Sequence, residues 1–512
     1  ALNAVRVGPG NVLGVDIVCS DAAARAEGCI PLNLFGYNTA DPRAASYVQA
    51  VVPKSEEVTN EQYVVNATIS GPLFALPGGD VGIAAGVEYR RESTFNDLDI
   101  LTNTGGNSGN LIPDLSGKFD VWEVFGEVNV PLLSERPFFE YLGLIGAARY
   151  SDYSTIGGVF SWNAGAEWAP TPDIRIRGMY AVANRAPNIS ELFSAPSETF
   201  EAVNDPCNGT TANNDLGGLG ATCRAIPGVA AAIAADGTFD YTLADLQGIN
   251  GFVGGNQNLQ EETAKTITIG AVITPSFVRG LSLTVDYYDI KIDGAIATLG
   301  RNNSIQRCLE TNLPVFCDNV IRDANTGFIT TVNGQLINVA GLQNRGVDVG
   351  LRYRTAVGLT ENDSFSFSGN YTYLIDAKTQ TDPTEEAVDS AGTFGRTFST
   401  HTFTVRGTYE VDAVRLSWQT NFLSGGDYVR DFVNADPGVV ALNRISDYAT
   451  HDAQLGFDVG EEMTFFLNVD NVFDKKPQYL PGAQFGTPTG LETAADFDVI
   501  GRRFTAGARV RF

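Results

Sequence analysis

Residues 414–422 read VRLSWQTNF, and this stretch indicates the fold class because apolar and polar side chains alternate along it. The apolar residues are at even-numbered positions (the apolar parity): Val414, Leu416, Trp418 and Phe422. The polar residues are at odd-numbered positions (the polar parity): Arg415, Ser417, Gln419 and Asn421. A period of two gives a β-strand one apolar face and one wet face. Residues 364–373 and 402–410 repeat the pattern. The sequence therefore predicts a protein built from two-faced strands.

These strands are long. Strands of soluble sandwiches run to about five or six residues, whereas strands that cross a bilayer need roughly 9 to 11. Many segments of this chain reach the longer length. We predict about fifteen strands, at residues 61–70, 81–92, 119–131, 139–151, 158–169, 173–185, 261–273, 280–293, 341–356, 362–375, 397–411, 412–424, 445–459, 461–473 and 497–512.

The composition excludes membrane helices. In 512 residues, 43% of them hydrophobic, no run approaches the roughly 20 continuous apolar residues that a membrane helix needs. A closed barrel is then the remaining way to satisfy every backbone group in a bilayer. Short connections such as 411–413 alternate with long ones such as 186–260. We expect an all-β, transmembrane, antiparallel up-and-down β-barrel with short periplasmic turns and long extracellular loops, and a soluble β-propeller is the alternative.

The net charge argues against nucleic acid as a partner. The chain carries 34 Lys and Arg against 60 Asp and Glu, a formal charge of −26, which repels a phosphate backbone. Solvated acidic loops explain this excess more simply than a dedicated cation site does.

The six cysteines form three neighbouring couples: Cys19 with Cys29, Cys207 with Cys223, and Cys308 with Cys317. Their even number and short spacing, without any CxxC, predict three local disulfides in an oxidising compartment. All three couples lie in predicted long loops, which places those loops outside the cell. Zinc binding is a weaker alternative, because the chain has two histidines and neither is near a cysteine. We predict no metal and no cofactor.

Several phrases resemble the TonB-dependent receptor family. They are ANRAPNISELF at 183–193, NQNLQEETAKTITIG at 256–270, DYYDIKIDGAI at 286–296, LQNRGVDVGLRY at 342–353, NVDNVFDKKP at 468–477 and DVIGRRFTAGARVRF at 498–512, with GVEYRRE at 86–92 upstream. The resemblance covers most of the chain. It also implies that the amphipathic last strand, which ends in Phe512, is the signal presented to the outer-membrane assembly machinery.

The resemblance implies a larger protein than this chain. Family members carry an N-terminal plug and a barrel of 22 strands, and neither a plug nor the first strands is apparent here. We expect residues 1–512 to be the C-terminal portion of the barrel. The N-terminus, ALNAVRVGPGNVLG, lacks the features of a signal peptide, so we expect a processed chain or a fragment.

The family implies a function in the outer membrane of a Gram-negative bacterium: active uptake of a specific ligand too large for porins. The implied partners are a plug (from the same gene product or a companion chain), the TonB energy-coupling complex acting through it, outer-membrane lipid and lipopolysaccharide, and a small-molecule or oligosaccharide ligand. The alternatives are a passive plugless pore and a structural cell-surface scaffold. The presence or absence of a plug would distinguish uptake from the pore.

No catalytic motif argues for an enzyme. GxSxG, HExxH and a phosphate loop are absent, and His401 and His451 both lie in predicted strands, His401 on the lipid side. With two His and two Met in the chain, haem and copper are disfavoured as ligands, and siderophores and oligosaccharides remain. DANTG at 323–327 and NDLDILTN at 96–103 lack the full spacing of a calcium loop and are predicted to be turns.

Charged side chains on the polar parity are the candidate site residues, because a spanning segment tolerates charge where it faces water or protein. The predicted lumen-facing residues are Glu88, Arg90, Glu123, Glu127, Arg175, Arg177, Arg185, Asp286, Asp348, Arg352, Arg406, Arg415, Arg503 and Arg509. Individually they are expected to pair across the wall. As a set they would hold the plug.

Overall fold

The protein is built around fifteen long antiparallel strands. The structure is a computed structural model that describes residues 3–33, 39–49, 53–107, 109–200, 202–247, 249–380, 386–394, 398–427, 444–460, 462–481, 491–493 and 497–511. The long strands are β1 (Glu56–Leu76), β2 (Gly79–Leu98), β3 (Leu115–Arg136), β4 (Phe139–Tyr153), β5 (Gly157–Thr171), β6 (Ile174–Arg185), β7 (Glu262–Ile273), β8 (Leu281–Leu299), β9 (Gly334–Ala356), β10 (Asp363–Gln380), β11 (His401–Val411), β12 (Val414–Leu423), β13 (Tyr448–Val459), β14 (Met463–Asp470) and β15 (Arg503–Val510).

These strands form one wall, with the strand order of a closed barrel. Fourteen antiparallel registers join each strand to the next, from β1 to β15. The seam between β15 and β1 has no register within the described residues. The two seam strands are exposed on both faces, at 20 of 21 positions in β1 and seven of eight in β15. The predicted fold class is confirmed.

Each predicted strand has its counterpart, but several strands extend beyond the predicted ends. The first runs over Glu56–Leu76 instead of 61–70, and the second continues to Leu98. Residues 93–98, which lie outside the predicted strands, pair with the first strand, and residues 93–96 pair also with the third. Both faces of the first strand are wet there, so the hydrophobic alternation that marks a strand in sequence is lost although the backbone ladder continues.

The connections alternate as expected. At one end, which we call the turn end, the strands are joined by residues 77–78, 137–138, 172–173, 274–280, 357–362, 412–413 and 460–462. At the other, which we call the loop end, the connections are 99–114, 154–156, 186–261, 300–333, 381–400, 424–447 and 471–502. The connection 154–156 is a tight turn among the long loops.

Two of the long loops fold together into one small unit, which we call the cap: residues 186–261 and 300–333. Its buried core draws on both loops and comprises Val203, Cys207, Leu219, Cys223, Val229, Phe239, Ile249, Ile305, Leu309, Ile329 and Val332. Asp205, with a fully buried side chain, accepts two hydrogen bonds from Arg322 across the two loops, at 2.5 and 2.8 Å. The cap is therefore a folded subdomain.

Short elements complete the loops and the N-terminal region. The helices are Ala22–Ala26, Pro42–Val48, Ile100–Asn103, Ile189–Phe193, Leu216–Gly218 (a 3-10 turn), Gly220–Arg224, Pro227–Asp236, Leu243–Gln247, Arg301–Thr311 and Pro314–Cys317. The short strands are Ala4–Arg6, Ile17–Cys19, Ser197–Thr199, Thr210–Thr211, Thr238–Phe239, Gly251–Gly254, Val320–Arg322, Ile329–Val332, Val388–Asp389, Gly426–Asp427, Arg444–Ile445, Tyr479–Pro481 and Leu491–Thr493. No helix in the described ranges is long and apolar enough to cross a membrane.

The three predicted disulfides are confirmed. Cys19 bonds to Cys29, Cys207 to Cys223, and Cys308 to Cys317. The second and third couples lie in the cap, and the first lies before β1, which begins at the loop end. The two couples of the cap therefore belong to the loop end of the wall. Phe512, the proposed assembly signal, lies outside the described residues.

Candidate functional site

The wall has one polar and one apolar face. Directly opposed residues on paired strands share a face, so the registers assign every side chain. The apolar face exposes large side chains that a soluble fold would bury, with Ile269 at 56%, Trp122 at 63% and Phe504 at 70% exposure. On β12 this face carries the apolar residues predicted at 414–422. On the neighbouring strand β13, Leu455 and Phe457 lie directly opposite two of them.

Aromatic side chains cluster on the apolar face towards the loop end. Tyr89 contacts Trp122 at 4.5 Å between ring centroids, and Trp162 contacts Tyr180 at 5.4 Å. His401, predicted on this face, stacks on Tyr373 at 5.0 Å. Rings with one apolar and one polar edge favour the boundary between hydrocarbon and water. This band fits a membrane interface.

The predicted charged residues share the polar face, and most are paired. Ion pairs join Arg90 to Glu92, Arg149 to Glu88 and Glu123, Arg175 to Glu167, Arg177 to Asp286, Arg185 to Glu191 and Glu262, Arg415 to Glu410, and Arg503 to Asp470 and Asp498. Asp348 accepts a 2.6 Å hydrogen bond from Thr372, and Arg406 donates to Gln454 at 2.6 Å. Glu127, Arg352 and Arg509 make no ion pair in the part of the chain that the structure describes.

Near the loop end, three arginines of the polar face each lie between two carboxylates, and a fourth, Arg90, pairs with Glu92 alone. Arg149 lies 2.5 Å from Glu123 and 3.7 Å from Glu88. Glu88 and Glu123 are directly opposed in the register, and the guanidinium offsets their mutual repulsion. Arg185, the last residue of β6, contacts Glu262 at 2.6 Å and Glu191 at 3.0 Å.

The third such arginine is Arg503, the first residue of β15, which lies 3.6 Å from Asp470 and 2.9 Å from Asp498. Each of these three clusters carries one negative charge more than it carries positive charge. The side chains of Arg352 and Arg509, in contrast, lie near the turn end of their strands. The polar face is therefore acidic at the loop end. Of its predicted arginines without a carboxylate partner in the described residues, Arg352 and Arg509 lie near the turn end, and Arg406, bonded to Gln454, lies mid-strand.

A group of neutral polar residues lies on the same face, on β10 and towards the loop end of β11, β12 and β13. We call it the neutral patch, and it consists of Asn370, Thr372, Thr402, Thr404, Asn421 and Thr450. Two cross-strand rows build it: Asn370, Thr404, Asn421 and Thr450 in one, and Thr372, Thr402, Leu423 and Tyr448 in the other. The patch lines an open cavity of about 370 Å³ together with Phe403, Phe422, Leu423 and Tyr448, so apolar surface accompanies the hydroxyl and amide groups there.

Sequence reasoning missed the neutral patch, because the search for candidate residues was limited to charges. The signal was present in part: Thr402, Thr404 and Asn421 have the polar parity of their strands. Their convergence depends on three registers that no single strand contains. Tyr448, which lines the cavity, also belongs to a buried cluster with Phe394, Ile445 and Phe497.

The two candidate calcium segments form local turns. Asp99 caps the helix Ile100–Asn103, and its hydrogen bond with the Thr102 hydroxyl, 2.7 Å long, is the main cause that lowers the pKa of this carboxyl. Asp323 accepts from the backbone N–H of Asn325 and Thr326, and these bonds likewise lower its pKa. In the described ranges, no group of three or more His, Cys, Asp or Glu could hold a metal ion.

Strand length, the two faces and the alternation of turns and loops define the class of the protein as a transmembrane β-barrel. The family model described as TonB dependent receptor-like, beta-barrel, matches residues 30–472, and the chain belongs to this family. A comparison with curated proteins finds no match.

Solved siderophore receptors share the fold. A mutant ferric enterobactin receptor from Pseudomonas aeruginosa, PfeA, in complex with enterobactin matches with a TM-score of 0.58 at 16% identity, over 88% of this chain and 54% of the receptor chain. The siderophore receptor PirA from Acinetobacter baumannii matches with a TM-score of 0.56 at 13% identity, over 91% of this chain and 56% of PirA. The chain spans just over half the length of these structures.

Proposed function

We propose that the protein is an outer-membrane receptor that takes up a specific ligand, too large for porins, with energy from the TonB complex. The observation that carries the proposal is the two-faced wall of fifteen strands in a chain that belongs to the TonB-dependent receptor family. Large apolar side chains exposed along one face fit lipid. The other face, lined by charges and hydroxyls, fits a wet interior that a ligand can cross.

We further propose that the polar face holds a plug, supplied by the same gene product or by a companion chain. Most carboxylates and arginines of the wall are already paired across strands, as in the 2.7 Å contact of Arg177 with Asp286. Such pairs present both signs of charge to a partner. Arg352 and Arg509, near the turn end, have no carboxylate partner in the described residues and are available to one on the plug.

The chain is proposed to be the C-terminal portion of a barrel that contains further strands. Both faces of β1 and of β15 are exposed, and a strand in lipid needs all its backbone groups bonded. Additional strands pairing with these two would meet that need. Lipid and lipopolysaccharide would then surround the apolar face and its aromatic band.

The proposal is tested with cells that produce the full receptor, by following ligand uptake with and without the proton gradient. We expect uptake to stop when the gradient is dissipated, because the energy comes from the inner membrane. Uptake that continues unchanged would identify a passive pore, and a protein that neither binds nor conducts would be a scaffold. Intact-mass analysis of the purified particle reports whether a plug accompanies the chain.

A further inference from the structure

The charge of the loop end bears on what the receptor can take up. The six long loops, residues 99–114, 186–261, 300–333, 381–400, 424–447 and 471–502, carry 26 Asp and Glu against 10 Lys and Arg, a net charge of −16. The loop end is thus the source of most of the negative charge of the chain. A field of one sign at an entrance changes association rates of charged ligands by roughly 10- to 1000-fold. Anionic ligands are repelled there.

The polar face below the loops does not reverse this field. Of its arginines towards the loop end, Arg149, Arg185 and Arg503 are each held between two carboxylates, and Arg90 pairs with Glu92. An anionic ligand needs cationic donors, as in bidentate recognition by arginine. Here each of these four guanidinium groups is engaged by a carboxylate, and none of the groups has a net positive charge. The entrance therefore lacks the counter-charge that an anion requires.

The neutral patch offers a different kind of recognition. Asn370 and Thr402 make no side-chain hydrogen bond within the described part of the chain, so their donors and acceptors face the cavity. The other members are oriented by their neighbours: Thr404 donates to Asn421 at 3.1 Å, and Asn421 donates to Asp452 at 3.1 Å. Hydroxyl and amide groups both donate and accept, which matches a ligand whose surface is made of hydroxyl groups.

Resting on the proposed uptake function, we propose that the ligand class is an uncharged, hydroxyl-rich molecule of the neutral oligosaccharide type, and that it binds at the neutral patch. The cavity of about 370 Å³ lies within the range of small-molecule sites. It is large enough for part of a chain of sugars, with the remainder extending towards the loops. The charge of the entrance slows the association of anionic ferric chelates.

The test compares three radiolabelled probes in cells that produce the full receptor: a pool of neutral hexose oligosaccharides, ferric enterobactin as an anionic ferric catecholate, and a glucosamine oligomer with protonated amines. We expect gradient-dependent uptake of the neutral pool, at least tenfold above that of either charged probe. Gradient-dependent uptake of a charged probe instead, or of no probe, overturns the ligand class. Uptake of the neutral pool that ignores the gradient overturns the uptake function and leaves the ligand class standing.

A double variant tests whether the neutral patch is the binding site. In Asn370→Leu/Thr402→Val no internal hydrogen bond is lost, so the wall should fold as before. We expect the affinity of the purified receptor for the neutral pool to fall at least tenfold. Asn129→Leu removes an exposed amide from the polar face of β3, outside the cavity, and should leave affinity unchanged. Equal affinity in the double variant and the wild type would refute the assignment to the neutral patch.

Discussion

Replacing Arg322 by methionine should loosen the cap without disturbing the barrel wall. Arg322 donates two hydrogen bonds to Asp205, at 2.5 and 2.8 Å, across the two loops that form the cap. The Asp205 side chain is fully buried and that of Arg322 is 14% exposed. Tyr241 also donates to Asp205, at 2.9 Å, and burial together with this carboxylate raises the pKa of Tyr241. Its phenol therefore stays protonated at physiological pH and keeps donating this hydrogen bond.

The magnitude follows from the charge that is left behind. Removing one partner of a buried ion pair costs about 3 to 5 kcal/mol, because the other charge stays buried and uncompensated. Tyr241 and the backbone N–H of Cys207, which donates to Asp205 at 3.0 Å, remain in place and hold the effect to the lower part of that range. At about 1.4 kcal/mol per tenfold, 3 kcal/mol corresponds to roughly 150-fold.

Hydrogen exchange followed by mass spectrometry measures the loss of stability of the cap, on the full receptor in detergent. Peptides of the cap core, over 203–247 and 320–332, should exchange roughly 100-fold faster in Arg322→Met, and wall peptides should not change. Arg43→Met is the matched control, since Arg43 is 65% exposed in its pair with Asp41 and such exposed pairs contribute little to stability. Exchange in the cap equal to that of the control would refute the idea that this ion pair holds the two loops together.

Four further predictions follow from the wall and the loops. Replacing both Cys207 and Cys223 by serine removes a disulfide that spans 16 residues and contributes about 3 kcal/mol. Limited proteolysis should then cut the cap first. The barrel, followed on a gel as the band whose mobility changes on heating, should stay intact. Phe239→Ala empties a fully buried position of the cap core and should cost about 3 to 5 kcal/mol, measured by exchange of the same cap peptides; a change no larger than that of Arg43→Met would contradict the packing. Ile269→Arg places charge on the apolar face of β7 and should cost about 2 to 4 kcal/mol in vesicle refolding, whereas Thr268→Arg on the polar face should cost much less; equal costs would contradict the assignment of the faces. The pKa of Asp99 is lowered in the folded protein, so its carboxylate should stabilise the helix Ile100–Asn103 at any pH above the pKa of an unfolded carboxyl. This stabilisation should be lost as the pH falls through the lower pKa of the folded protein. Hydrogen exchange of residues 100–104, corrected for intrinsic rates, should show the loss in the wild type and not in Asp99→Asn.

The barrel class could be predicted because lipid and water select side chains with a period of two. Along β12, from Val414 to Phe422, the alternation of apolar and polar side chains indicates which face each residue occupies, and this assignment needs no information about distant residues. The prediction was shorter than the strand wherever both faces meet water, as at Glu56–Asn60. The backbone ladder continues there by hydrogen bonding alone, which leaves no hydrophobic record in the sequence.

Bulges are a second feature that the sequence does not show. The register shifts between Arg345 and Gly346, so that Asp376 opposes Arg345 and Leu374 opposes Gly346. One extra residue in β10 moves the following side chains to the other face. Simple parity therefore assigns the wrong face to Asp376, which forms an ion pair with Arg345.

The sequence by itself determined the number of long strands, their two faces and the three disulfides, because alternation and neighbouring cysteines are local properties of the chain. The tertiary structure alone decided that residues 186–261 and 300–333 share one core, and that Asn370, Thr402 and Asn421 line one cavity. These groupings depend on cross-strand registers and on contacts between loops separated by two whole strands. The hydrogen bonds that set a register are made by backbone groups, which are the same at nearly every residue, and so the side-chain pattern does not reveal which residues will meet.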